Sequence, residues 1–354
     1  MQYRQIGETR RVQFTGGSTY IISLPKKWVD QNHIKKGSEV RLHEEEGGTL
    51  LITSTDKAIE QPAEEALIRI SPKDSSDSVI RKVVSAYLVG YNFIRIKAEK
   101  QQQLAPRQRD DIKNFARHML VGTEIVTDTP LELTLQVLLS YPELSIQSAL
   151  RRMSIITSSM HKDAITALKK LDYPLAQSVI TTDNEVDRFT LYIIRQLKTA
   201  VQNPRIIKEI GLTNARDCLG YRLVVKSVER TADHAASIAE NILPLKRRLS
   251  TEVTEKIEKL SEIAISMFET AVDALLKQDF NLAESIIEKT TNVALLEKEA
   301  VVASQKIDIE EVANLRLIIE SVRRTAEYAA DIAEIVLNLT VESIISIEHP
   351  SKQF

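Results

Sequence analysis

Four carboxylates stand in two pairs with helical spacing in the middle of the chain. Asp183 and Asp187 are four residues apart, and so are Glu229 and Asp233. On a helix this spacing places both side chains of a pair on one face, with their Cβ atoms about 5 to 6 Å apart. If the two helices face each other, the four carboxylates offer hard oxygen ligands to Mg²⁺, Mn²⁺, iron or Ca²⁺. The spacing is therefore compatible with a metal site.

The same carboxylates have a simpler interpretation as a solvent-exposed acidic face balanced by Arg188 and Arg230. Spacing alone does not separate this interpretation from metal binding. Glu229 and His234 are five residues apart, whereas di-iron bundles place a Glu and a His three residues apart on one helix. A redox centre is therefore not indicated.

Four cations near the start of the chain form a second group that could do chemistry. Arg10 and Arg11 precede a short β-prone run, and Lys26 and Lys27 open a short helical run. Cations are unfavourable at a helix N-terminus, so a negatively charged partner would explain them. Three acids at positions 44–46 lie apart from these cations in the sequence. The four cations are candidates for DNA contact, and an ordinary basic surface is the alternative.

The first fifty-six residues carry the element order β-β-α-β-β. Turn-forming residues at 15–18 and 47–48 separate the β-prone runs of two hairpins, and the short helix lies between them. A unit of this size buries little apolar surface on its own. We therefore expect it to oligomerise.

The next segment mixes helical and strand periodicity. Apolar spacing and alternation predict two helices and four strands in it: helices over 78–91 and 106–120, and strands over 67–70, 93–96, 124–127 and 131–137. We interpret the segment as a small α/β unit that links its neighbours or contributes a dimer contact.

Helical periodicity dominates after residue 145, and this part of the chain repeats itself. Residues 227–240 match residues 321–334 at ten of fourteen positions, and residues 160–180 resemble residues 267–287. The offsets of 94 and 107 differ by 13, which places an insertion near residues 203–216. The repeat predicts two tandem three-helix bundles, with helices over 145–170, 174–202, 212–243, 252–277, 281–306 and 308–339.

The second copy does not keep the acidic pattern. By the repeat alignment, Thr290, Ala294 and Arg323 occupy the positions of three of the four acids, and only Glu327 is an acidic counterpart. If the carboxylates bind a metal, the two copies are therefore not equivalent, and we interpret the second copy as structural.

The composition excludes several classes of protein. The 354 residues contain 47 Lys and Arg against 49 Asp and Glu, so the chain does not bind nucleic acid through bulk charge. Gly and Pro number only 10 each, which favours long helices. Cys218 is the single cysteine, which excludes an intramolecular disulfide. There is no leader pattern and no apolar run near 18 residues, so we expect a soluble, cytoplasmic protein that is not an integral membrane protein.

The N-terminal region resembles the AbrB-like (SpoVT/AbrB) DNA-binding domain. The resemblance lies in RRVQFTGGSTYIISLPKKW at 10–28, IKKGSEV at 34–40 and GTLLI at 48–52. That family forms a swapped-hairpin dimer whose paired basic residues contact DNA. The resemblance implies a homodimer and these contact residues: Arg10, Arg11, Lys26 and Lys27. The loop at 15–19 lacks the basic residue that bacterial members more often carry, so base reading by that loop is not implied.

Residues 145–340 resemble the PhoU family of phosphate-signalling regulators, which has two three-helix repeats. DNEVDR at 183–188 and ERTADH at 229–234 fit its acidic E(D)-x-x-x-D pattern, which binds multinuclear metal clusters in that family. The resemblance implies one divalent metal or iron cluster in the first repeat, held by Asp183, Asp187, Glu229 and Asp233. An AbrB-like domain followed by PhoU-like repeats resembles the arrangement of archaeal phosphate uptake regulators.

These interpretations predict a multidomain α+β protein. Its parts are an AbrB-like DNA-binding and dimerisation domain over 1–56 with a swapped-hairpin β fold, an α/β linker domain over 57–143, and PhoU-like repeats over 144–249 and 250–354.

The functional hypothesis is a cytoplasmic homodimer that binds double-stranded DNA and regulates transcription of phosphate uptake or metabolism genes. Its helical repeats would bind metal or sense a partner. The alternative is a signalling adaptor that docks on a phosphate transporter or another signalling partner and does not bind DNA. No catalytic base, nucleophile or open set of metal ligands is evident, so we do not expect an enzyme.

Overall fold

A computed structural model describes most of the chain, namely residues 8–45, 48–54, 65–99, 102–139, 144–304 and 309–345. The chain divides into two compact units, residues 1–63 and residues 64–354. The first unit contains short strands and one short helix, and the second contains a four-stranded sheet followed by a long helical region. The predicted multidomain α+β class is confirmed, whereas the division into four domains stays a prediction.

The N-terminal unit consists of two antiparallel hairpins with a short helix between them. Its elements are β1 (Gln13–Thr15), β2 (Thr19–Ile21), α1 (Lys26–Gln31), β3 (Val40–Glu45) and β4 (Thr49–Ser54). Gly16 and Gly17 turn the first hairpin with φ of 63° and 83°, a conformation that glycine adopts without steric cost. The two hairpins form separate two-stranded sheets, and none of the described residues in this unit is buried. Exchange of a hairpin between two chains stays a prediction.

The second unit begins with a mixed sheet covered by two helices. Its elements are β5 (Glu65–Ile70), α2 (Ser76–Val89), β6 (Phe93–Ala98), α3 (Pro106–Met119), β7 (Thr123–Asp128) and β8 (Glu132–Val137). The strand order is β5-β6-β8-β7, with β5 and β6 parallel and the other pairs antiparallel. Ile94, Ile96, Leu133 and Leu135 are buried at alternate positions, as expected for strands with one face in a core. The predicted α/β unit is confirmed.

The described residues of the helical region form eight α-helices. They are α4 (Ile146–Lys170), α5 (Tyr173–Gln202), α6 (Pro204–Glu209), α7 (Asp217–Ile242), α8 (Thr251–Lys277), α9 (Phe280–Ile287), α10 (Thr290–Ser304) and α11 (Ile309–Thr340). Their buried apolar residues form one continuous core, in which α4 contacts α8 and α7 contacts α11. The two three-helix repeats predicted from the sequence therefore share a single core.

Equivalent helix ends in the two repeats carry equivalent caps. Ser145 caps α4 and Ser250 caps α8, each through its hydroxyl. Asp172 accepts a hydrogen bond at the start of α5, as Asp279 does at the start of α9. These side chains satisfy backbone N–H groups that the first helical turn leaves without partners.

The two repeats differ at two places, namely the predicted insertion after α5 and the helical segment that follows α8. The short helix α6 lies in the predicted insertion, and its Ile206 and Ile207 join the core. The helix predicted over 281–306 is divided into α9 and α10, and the Lys289 N–H donates to the Ile286 carbonyl at 3.1 Å in the turn between them. The equivalent helix of the first repeat, α5, is continuous.

Within the described residues, no helix combines the length and the apolar character that crossing a membrane requires.

Candidate functional site

The first repeat brings the four predicted carboxylates together. Asp183 and Asp187 lie on α5, which packs against α7, the helix that carries Glu229 and Asp233. One carboxylate oxygen from each of Asp187, Glu229 and Asp233 lies within 4.8 Å of the other two. Asp183 is close enough for all three to raise its pKa. We call these four residues the acidic cluster.

Apolar stripes on α5 and α7 hold the acidic cluster at the edge of the core. Val179, Val186 and Ile193 are buried at seven-residue intervals along α5. Val225 and Val228 are buried on α7. When these stripes pack against each other, helical periodicity places the neighbouring carboxylates along the same line of contact between α5 and α7.

The surroundings of the acidic cluster disfavour negative charge. Burial, followed by the charges of Asp233 and Asp187, raises the pKa of Asp183 to about 7. Burial and the Glu229 and Asp187 charges raise the pKa of Asp233 to about 6, although part of that side chain remains exposed. The pKa of Asp187 is raised by burial and by Glu229. These three carboxyl groups are therefore easier to protonate than an isolated Asp side chain.

The donor atoms of the acidic cluster fit a hard divalent cation. All four side chains offer carboxylate oxygens, the ligand type that Mg²⁺, Ca²⁺ and Mn²⁺ prefer. Asp183 Oδ1 is buried and accepts no hydrogen bond from any described residue. Lys226 donates to Glu229 Oε2 and offsets one of the four charges.

Sequence reasoning missed two residues of this site. Glu240 also raises the pKa of Asp183, and Lys226 is the hydrogen-bond donor to Glu229. Both follow helical spacing on α7, since Lys226 is three residues before Glu229 and Glu240 is seven residues after Asp233. Extending the same helical face by two turns would have found them.

The equivalent position in the second repeat contains an arginine instead of a cluster of acids. Arg323 Nε lies 3.0 Å from Glu297 Oε1, and the same guanidinium contacts Glu327. Thr290 and Ala294 lie in the same cavity. The second repeat therefore lacks the set of four acids, as the sequence predicts. The Arg323 guanidinium lies there instead and pairs with two carboxylates.

The four predicted DNA-contacting cations are exposed in the N-terminal unit. Arg10 and Arg11 precede β1, and Lys26 and Lys27 are the first residues of α1. Arg10 pairs with Glu8. Within the described part of the chain, the other three have no ion-pair partner.

Comparisons with known proteins match both parts of the chain. A family model described as "PhoU domain" matches residues 150–242 and 257–336. A second model, described as "Antidote-toxin recognition MazE, bacterial antitoxin", matches residues 13–60. The first match covers the two helical repeats, and the second covers the hairpin unit.

Individual relatives match the helical region. The chain is 28% identical over 149 residues to the phosphate-specific transport system accessory protein PhoU homolog of Aquifex aeolicus, covering 42% of this chain and 64% of that protein. It is 24% identical over 203 residues to the homolog of Caulobacter vibrioides, covering 55% of this chain and 86% of that protein. A crystal structure of PhoU from Pseudomonas aeruginosa aligns with a TM-score of 0.49 at 24% identity, over 56% of this chain and 96% of that one.

The helical repeats and the residues matched in them define a PhoU-domain protein. This protein carries two PhoU domains after a MazE/AbrB-like N-terminal domain, so both predicted resemblances are confirmed.

Proposed function

We propose that this protein is a cytoplasmic DNA-binding regulator of phosphate uptake or metabolism genes and not an enzyme. The observation that carries the proposal is the presence, in one chain, of a MazE-like unit and two PhoU domains. Relatives of the PhoU domains are named as accessory proteins of phosphate-specific transport systems. In this proposal the N-terminal unit contacts DNA, and the repeats respond to a metal or to a partner from the transport system.

The proposed DNA-binding form is a homodimer made through the N-terminal unit. The rings of Phe14 and Tyr20 are tilted by 55° with their centroids 5.1 Å apart, yet the two residues are 59% and 73% exposed. Other large apolar residues of the unit are also exposed: Val12, Ile21, Ile22, Leu42, Leu50 and Leu51. Isolated two-stranded hairpins are only marginally stable in water. A second copy of the unit would bury this apolar surface and place two sets of cations side by side.

The exposed lysines of α1 support phosphate contact in that dimer. Lys26 and Lys27 have no ion-pair partner among the described residues, so their charges are available to a polyanion. Phosphate contacts release counterions, and binding therefore weakens steeply as salt rises.

A salt titration of DNA binding tests this proposal. The full chain is mixed with sheared genomic DNA, bound fragments are recovered, and their affinity is measured over a range of salt concentrations. A dimer with Lys26→Ala and Lys27→Ala loses four cations, so the slope of log affinity against log salt should fall by about 3 to 4.

The matched control removes two exposed lysines of the second repeat, Lys289 and Lys298, by the same substitution. It should leave the slope unchanged. Equal slopes for the Lys26 and Lys27 variant and the unsubstituted chain would remove those residues from the DNA surface. Failure to recover any fragment would favour the adaptor that does not bind DNA.

We further propose that the acidic cluster holds a divalent metal or an iron cluster. Asp183, Asp187, Glu229 and Asp233 would supply the ligands, and a bound cation would offset their mutual repulsion. Such a cation would tie α5 to α7 and stabilise the first repeat.

Elemental analysis and Mn²⁺ titration of the purified chain test the metal proposal. The double variant Asp183→Asn, Asp187→Asn should lose the bound metal. Glu284→Gln is the matched control, because Glu284 is an exposed carboxylate on α9. Identical metal content in all three proteins would contradict the proposal.

A further inference from the structure

A cleft of about 1070 Å³ separates the α/β part of the second unit from the first repeat. Helices α2 and α3 line one side, and α4 and α5 line the other. We call it the arginine cleft, because it is lined by Arg107, Arg117, Arg152 and Arg188. Its volume is large enough for a small organic ligand.

Three arginines that line the arginine cleft come from three different helices and have no acidic partner among the described residues. Arg117 lies in the last turn of α3, Arg152 lies on α4, and Arg188 lies on α5. Across the described residues, none of these three guanidinium groups forms an ion pair. His118 lies next to Arg117 and also lines the cleft. Arginines in this arrangement favour phosphate, which accepts two parallel hydrogen bonds from one guanidinium.

Three acids also line the arginine cleft, against its four arginines. Asp111 lies 3.8 Å from Arg107 on the same helix turn. Asp77 lies in the first turn of α2, where the helix dipole favours a negative charge. Glu185 is the remaining acid among the lining residues.

Apolar side chains form part of the wall beside these cations. Phe115, Phe189 and Leu144 line the cleft and are half-buried, and Ile80 lies with them. Inorganic phosphate would leave this apolar surface exposed to water. A ligand that carries both phosphates and a ring would cover it and satisfy the arginines as well.

We propose that the arginine cleft binds a phosphorylated organic molecule of the nucleotide class. Its phosphates contact Arg117, Arg152 and Arg188, and its ring packs on Phe115 and Phe189. The site is separate from the N-terminal cations and does not depend on the proposed DNA binding. Since α5 lines the cleft through Asn184 and Glu185 and carries Asp183 and Asp187 of the acidic cluster, one helix contributes to both sites.

Calorimetric titration of the full chain with ADP tests this proposal. The buffer contains EDTA and no DNA, so the outcome is independent of metal and DNA binding. We expect saturable binding, which Arg152→Ala or Arg188→Ala weakens about tenfold or more, the loss typical of one charged hydrogen-bonding group. Thermal unfolding without ligand checks that each variant is folded.

Arg151→Ala is the matched control. Arg151 is the neighbour of Arg152 on α4, but it lines a different cavity, against α8. It should leave ADP binding unchanged. Absence of saturable ADP binding, or an equal loss in the Arg151 variant, would overturn the site. Pyrophosphate that binds as tightly as ADP would overturn the assignment to an organic ligand.

Discussion

Asp183, a residue of the proposed metal site, lowers the stability of the folded chain when its carboxyl group is ionised. Its pKa of about 7 means that the folded chain holds a proton which the unfolded chain, with a pKa near 3.8, has released. The carboxylate therefore costs stability progressively as pH rises between these two values, and the full cost is present above pH 7. In our metal proposal a bound cation would remove this cost, so Asp183 would serve binding and would oppose folding when no cation is present.

We therefore expect Asp183→Asn to stabilise the metal-free protein at pH 8. The gain should be about 1–3 kcal/mol, because an amide replaces a half-buried anion that lacks a described hydrogen-bond partner at Oδ1. Urea unfolding of the variant and the unsubstituted chain in EDTA, at pH 8 and at pH 5, measures the difference in stability. This difference should be smaller at pH 5. An unchanged or lower stability at pH 8 would contradict the assigned burial.

His161 makes stability depend on pH in the opposite direction. Burial lowers its pKa to about 4 in the folded chain, while the unfolded chain keeps the ordinary value of 6.5. The unfolded chain therefore binds a proton first as pH falls, and stability declines between these values. The ring lies 2.8 Å from Ser261 Oγ through Nε2 and 3.4 Å from Thr325 Oγ1 through Nδ1, so it joins α4 to α8 and α11.

Substitution of His161 by Asn should remove this dependence. Between pH 7 and pH 5, the free energy of unfolding of the unsubstituted chain should fall by about 2 kcal/mol more than that of the variant. Urea unfolding of both proteins at the two pH values gives the difference. His118→Asn, at an exposed position, serves as the control and should behave like the unsubstituted chain.

At the scale of elements, a buried arginine joins the α/β part to the first repeat. Arg195 on α5 donates to the Tyr87 carbonyl, to the Gly90 carbonyl at 3.0 Å and to Asn92 Oδ1 at 2.9 Å. Its guanidinium also lies 4.9 Å from the centre of the Tyr87 ring. The acceptors include carbonyls at the end of α2, which a helix leaves without intrahelical partners.

Arg195→Met should therefore destabilise the protein by about 1–3 kcal/mol, because the Tyr87, Gly90 and Asn92 oxygens lose their donor. Lys198→Met, at an exposed position one turn later on α5, should change stability little. Chemical unfolding of both variants measures the two effects. Similar values for the two would show that Arg195 does not hold the α/β part in place.

The sequence predicts the positions of the helices better than it predicts where a helix is interrupted or which residues join one part of the fold to another. Apolar periodicity and the internal repeat located the helices, because both depend on local spacing. The division between α9 and α10 escaped prediction, since the equivalent helix of the first repeat, α5, continues through this position. The role of Arg195 also escaped prediction, because its partners lie more than one hundred residues away in the sequence. In the acidic cluster, spacing predicted which carboxylates meet, but it did not predict the burial that contributes most to their raised pKa values.

At the scale of the whole molecule, two similar repeats have different charges at equivalent positions. The first repeat presents an acidic cluster, and the second has Arg323 paired with Glu297 and Glu327. The first repeat is thus suited to binding a cation. In the second repeat, the Arg323 guanidinium neutralises the carboxylates with which it pairs. The chain carries a net charge of only −2, so our proposal assigns DNA binding to the local cations of the N-terminal unit and not to bulk charge.

A genome-wide map of DNA occupancy, recorded at high and low phosphate, tests the central claim most directly. Our account predicts enriched sites near phosphate uptake or metabolism genes, with occupancy that changes with phosphate and is lost in the Lys26→Ala, Lys27→Ala chain. An enrichment profile that the two lysine substitutions leave unchanged, or the absence of any enriched site at either phosphate level, would contradict it.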